Sequence, residues 1–153
     1  MKCYRLVLNS IFYTLGNSYL MNPWWKPTPP KLISFDFLQT ILIRKSSEYL
    51  LLNVLPIDDQ DCLIRGTINA NNEEQILNQM IESIATPNKK IVIYGKNCND
   101  EKVSAKLDQL QKLGLTDVFV YRGGLFEWML LQDIYGEKEF PTTKREIDIL
   151  RFK

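Results

Sequence analysis

Two rhythms of apolar and polar positions alternate along this chain. Near-continuous apolar runs of strand length lie at residues 49–54, 91–94 and 118–121. Between them apolar residues recur every three or four positions, the spacing of an amphipathic helix. Ser34 is a plausible N-cap for a helix whose face carries Phe37, Leu38, Ile41 and Leu42. Residues 73–85 place Ile76, Leu77, Met80, Ile81 and Ile84 on one stripe, and Pro87 follows their end. Residues 100–113 do the same with Val103, Leu107, Leu110 and Leu113, and Gly114 is the expected stop. A last helix is predicted over 125–134, and a short extended piece around Gly66 within 64–70. Continuous apolar strands between amphipathic helices predict an α/β fold: a three-layer parallel sheet with helices on both faces. Ligand sites in such folds lie beyond the carboxyl ends of the strands, here at 95–99 and 122–124.

Both ends depart from this pattern. Lys2 and Arg5 precede an apolar stretch, 6–20, that Asn9, Ser10 and Asn17 interrupt. It is too short and too polar to span a bilayer. Leu8, Ile11, Phe12, Leu15 and Tyr19 keep helical spacing, which predicts a helix packed on the domain. A targeting segment ending near Gly16 and Ser18, or a start at Met21, are the other readings of 1–21. Pro23, Pro27, Pro29 and Pro30 make 22–31 an extended connector, with Trp24 and Trp25 as anchors on the surface. Residues 137–153 mix charges of both signs with Phe140, Ile147, Ile149, Leu150 and Phe152, an extension wrapped on the domain or offered to a partner. The expected organisation is therefore 1–30 as extension and connector, 31–136 as one domain, and 137–153 as a C-terminal extension.

Composition narrows the chemistry. With 153 residues the chain holds one domain, and a net charge of +1 gives no footprint for nucleic acid. It contains no histidine. Ser-His-Asp and Cys-His catalysis, His-ligated zinc and an imidazole base are thereby excluded. The three cysteines, Cys3, Cys62 and Cys98, form no CxxC pair, so neither a Cys₄ zinc site nor a disulfide framework is expected. That usage fits a reducing, cytoplasmic setting.

One loop is set up for chemistry. The strand at 91–94 runs into Gly95, Lys96, Asn97, Cys98, Asn99 and Asp100, and a helix begins there. Backbone N–H groups and the helix dipole make such a loop a cradle for an anion, and a cysteine inside it gains reactivity. Cys98 stands there with Lys96 near it, but Asp100 and Glu101 place two carboxylates at the helix start, where they would cap the free N–H groups. Arg122 is a candidate anion contact on the same sheet edge, although pairing with Glu127 or Asp100 is the favoured reading. Cys62 reads as core filler. No arginine lies between Gly95 and Gly114, which excludes a Cys-x₅-Arg phosphatase loop.

The strand at 118–121 is followed by Arg122, Gly123 and Gly124, with Trp128 four residues on. Together with the strand–loop–helix at 91–113 and the element order, this segment resembles a rhodanese-like domain over residues 31–134. The resemblance implies a five-stranded parallel sheet and sulfur transfer through a cysteine persulfide, without a metal or organic cofactor. It also implies that the nucleophile directly follows the strand, where this chain has Gly95. The family's Asp-Val-Arg becomes Asn53-Val54-Leu55, and its His-Ile-Pro-Gly-Ala becomes Leu63-Ile64-Arg65-Gly66-Thr67. A catalytically degenerate domain acting in binding or regulation, through a protein partner, is therefore expected. The alternatives are a sulfurtransferase or persulfide carrier using Cys98, and a membrane-associated scaffold held by the apolar N-terminus.

Overall fold

The computed structural model describes residues 28–82 and 89–153. Their elements follow in the order β1 (Lys31–Ile33), α1 (Phe35–Ile43), β2 (Tyr49–Asn53), α2 (Ala70–Glu82), β3 (Lys90–Tyr94), α3 (Glu101–Lys112), β4 (Val118–Tyr121) and α4 (Gly124–Tyr135), with single 3₁₀ turns at Ile57–Asp59 and Ile149–Phe152. The strands form one all-parallel sheet in the order β1-β4-β3-β2. Side chains alternate across it, and each face has its own core. Leu51, Val92, Tyr94 and Tyr121 pack on one side with α1, α4 and the C-terminal segment. Leu52, Ile91, Ile93, Val118 and Val120 pack on the other with α2 and α3. Burial on both faces is why these strands read as unbroken apolar runs.

The helices form where the apolar stripes predict them. α3 is capped by Asp100 and ends before Gly114, whose φ of +85° suits glycine. α2 starts three residues ahead of the predicted 73, and the Asn69 side chain accepts from the Asn71 amide at its entry. The predicted positions Ile84 and Ala85, with Pro87, fall outside the described residues, as does every reading of 1–27.

Three features differ from expectation. The connector predicted over 22–31 gives way at Lys31 to an edge strand, β1, paired with β4. Lys31 guards that edge, bonded to Asp117 at 2.8 Å and set over the Phe119 ring. The five-stranded sheet implied by the resemblance has four strands among the described residues. The place beside β2 is taken by a single bridge between Leu51 and Thr67, where the Ile68 amide donates to the Leu51 carbonyl at 2.8 Å. Lastly, residues 137–153 are more than a surface wrap. Phe140 and Phe152 are buried in the core shared by α1 and α4, Thr142 bridges to Ile64, and Trp128 Nε1 donates to the Pro141 carbonyl at 3.2 Å.

Candidate functional site

The loop between β3 and α3 turns on the carboxylate of Asp100. Its Oδ2 accepts from the Lys96 amide at 3.0 Å and its Oδ1 from the Lys102 amide at 3.1 Å. The side chain thus caps α3 and also closes the loop from within. A Cβ at Gly95 would lie 2.5 Å from Asp100 Oδ2, 2.9 Å from Asp100 Cβ and 2.8 Å from Val103 Cγ2. The space that a side chain at position 95 needs is occupied by Asp100 and Val103. Asn97 Oδ1 accepts from the Asn99 amide, and Asn97 Nδ2 donates to the Phe152 carbonyl at 3.0 Å. The loop is therefore stitched to the C-terminal segment.

Its other side rests on α4. The carbonyls of Gly95 and Lys96 accept from the amides of Leu125 and Phe126 at 2.9 and 2.8 Å, so the loop supplies partners for free N–H groups in the first turn of α4. That docking explains the paired glycines. Gly124 has φ +66°, and a Cβ there would meet Gly95 O at 2.7 Å and Asn97 N at 2.8 Å. Glu127 folds back over Gly123 and accepts from the Tyr121 hydroxyl at 2.7 Å. Burial, then the carboxylate beside it, pushes the Tyr121 phenol far above its ordinary range.

The cations fall differently from the expectation. Lys96 is drawn away from the loop's centre to Asp59, at 2.6 Å. Asp59 is also gripped by Arg151 from the C-terminal segment, at 3.1 Å from Nε and 2.9 Å from the guanidinium end, and Arg151 reaches Glu146 at 3.6 Å. The hydrogen bond from Lys96, then that from Arg151, holds the Asp59 carboxyl below the usual carboxylate range. Asp59 and Arg151 were invisible as site residues in the sequence, because only the fold brings them to the loop. Arg122 pairs with neither Glu127, whose Oε2 accepts from Tyr121, nor Asp100, whose two oxygens accept from backbone amides, and it forms no ion pair among the described residues.

The two described thiols differ. Cys62 is buried and donates to the Lys144 carbonyl at 3.0 Å, and burial pushes its pKa up. Cys98 is exposed, 3.7 Å from Asn99 Oδ1. With Arg122 and Asp100 it lines a cavity of about 250 Å³ between the loop, α3 and the β1–β4 edge. Of the predicted site residues, Asn97, Cys98, Asp100 and Arg122 therefore share one cavity. Of the glycine–tryptophan motif, Gly124 is the residue that meets the loop backbone; Gly123 lies under Glu127 just ahead of α4, and Trp128 is fully buried on α4.

The pattern for a rhodanese-like domain matches residues 37–131. The chain belongs to the rhodanese-like domain family. No curated protein matches it. Among solved structures it is similar to a full-length protein from Lactobacillus plantarum, with 16% identity and a TM-score of 0.56 over 95% of this chain and all of that one. A rhodanese-like domain from Anabaena sp. shares 23% identity, with a TM-score of 0.53 over 77% of this chain and 81% of that one. A single-domain sulfurtransferase from Saccharomyces cerevisiae shares 18% identity, with a TM-score of 0.49 over 69% and 94%. The first two likenesses are likenesses of fold alone. Among the described residues no helix is long and apolar enough to cross a membrane, and no cluster of acidic or thiol side chains could hold a metal ion.

Proposed function

We propose that this rhodanese-like domain does not transfer sulfur and serves in binding or regulation. The observation that carries this reading is the Asp100 carboxylate, which takes one loop amide and one amide of the first turn of α3 and fills the space beside Gly95. A persulfide needs those amides free and a sulfur among them, whereas here a fixed negative charge stands in their place. Lys96, the cation nearest the loop, is matched by Asp59. The purified full-length chain is expected to form no thiocyanate from thiosulfate and cyanide above the buffer rate. Steady turnover that scales with protein would overturn the reading.

One observation favours a second reading: Cys98 is exposed on a cavity wall that also carries Arg122. If Cys98 carries sulfur, Cys98→Ser removes turnover, Cys62→Ala keeps it, and the Cys98 peptide gains the mass of one sulfur atom after thiosulfate treatment. Equal turnover in both variants ends that reading.

A further inference from the structure

The cavity beside Cys98 has an interior and a mouth of different chemistry. Val103 and Leu107 of α3, Val120 of β4 and Leu32 of β1 line it. Leu107 and Val120 are each 6% exposed, whereas Leu32, on the edge strand, is 55% exposed. A volume of about 250 Å³ accommodates about eight water-sized groups at roughly 30 Å³ each. Arg122, whose side chain ends in a guanidinium, lines the same cavity.

That guanidinium has no carboxylate to answer it. No ion pair reaches it among the described residues, and residues 1–27 and 83–88 contain no Asp or Glu. Asp100 also lines the cavity, but its oxygens accept from the Lys96 and Lys102 amides. Its negative charge beside the cavity weighs more against a dianion such as sulfate than against a monoanion. A planar carboxylate, by contrast, matches the two-pronged donor face of an arginine.

We propose that this cavity binds a small organic monocarboxylate, its apolar body against Leu32, Val103, Leu107 and Val120 and its carboxylate on Arg122. Binding involves no bond to sulfur, so failure here and failure of the sulfur-transfer reading are told apart by separate assays.

Cys98 supplies the readout, because it lies on the cavity wall. The full-length protein is titrated with benzoate while alkylation of the Cys98 peptide by neutral iodoacetamide is followed by mass spectrometry. Saturable slowing by benzoate is expected, with none from benzamide, its uncharged counterpart, at equal concentration. Arg122→Gln, an exposed position, should bind benzoate at least about tenfold more weakly, as the loss of one charge-assisted contact implies. Val103→Phe, checked for folding by its thermal transition, should lose protection by filling the cavity. Protection equal in Arg122→Gln, equal from benzamide, or seen with sulfate or an acidic peptide but not benzoate, would overturn the proposal. So would an alkylation rate that benzoate leaves unchanged.

Discussion

Asp100 and any side chain at position 95 compete for the same few cubic ångströms. Asp100 holds that space with two amide hydrogen bonds at the N-terminus of α3, where the helix dipole favours its charge. Gly95→Cys, whose Cβ would lie 2.5 Å from the carboxylate and 2.8 Å from Val103, should cost about 1–3 kcal/mol of stability through overpacking. Asp100→Ala alone should cost about 1 kcal/mol through the lost cap. In urea denaturation the double variant is expected to be more stable than the two losses added together, because removing the carboxylate relieves part of the clash. Simple additivity would show that the two positions do not share the space. The capping role of Asp100 was legible in the sequence, since an aspartate at a strand–loop–helix junction has few other uses. The destination of Lys96 was not: its partner, Asp59, belongs to the turn at Ile57–Asp59, and no local pattern links the two.

Among elements, the contact between the β3–α3 loop and α4 is the tightest backbone approach near the site. Gly124 is fixed there by φ +66° and by backbone atoms of Gly95, Lys96 and Asn97, none of which can swing aside. Gly114 also has a positive φ, +85°, but nothing within 4 Å of its missing Cβ. Gly114→Ala should therefore carry only the backbone penalty of about 1 kcal/mol, and Gly124→Ala clearly more, as read from denaturation midpoints. Equal losses would mean that the loop does not rest on α4 as described. The strands β2, β3 and β4 were legible because burial on both faces leaves them little but apolar side chains. β1 was not: its three residues begin beside the Pro-rich connector, and pairing with β4 rather than local propensity makes it a strand.

At the scale of the whole molecule, residues 137–153 act as part of the domain. Phe140 and Phe152 fill the core, Asn97 is bonded to the Phe152 carbonyl, and Arg151 shares Asp59 with Lys96. The depressed pKa of Asp59 gives this arrangement a pH signature. A carboxyl lowered in the folded state stabilises it above the unfolded pKa, about 4, and that stabilisation fades as pH falls through the folded value. Asp59→Asn should be less stable than the parent at neutral pH, and the gap should close as pH drops below about 4. A gap that is independent of pH would show that the ion pairs contribute nothing to stability. In the sequence the tail reads as an extension wrapped on the domain or offered to a partner, and only the burial of its two phenylalanines shows it to be a structural strap.

The setting of Trp128 turns this strap into an optical gauge. The indole donates to the Pro141 carbonyl, lies 5.0 Å from the Phe140 ring and crosses Tyr121 edge-on at 82°. Two of those three neighbours belong to the tail. Its lifting would wet the indole while the sheet and helices stayed in place, and the emission of Trp128 would move to longer wavelength ahead of any loss of helical signal. Opening of the tail and unfolding of the domain thus carry different colours.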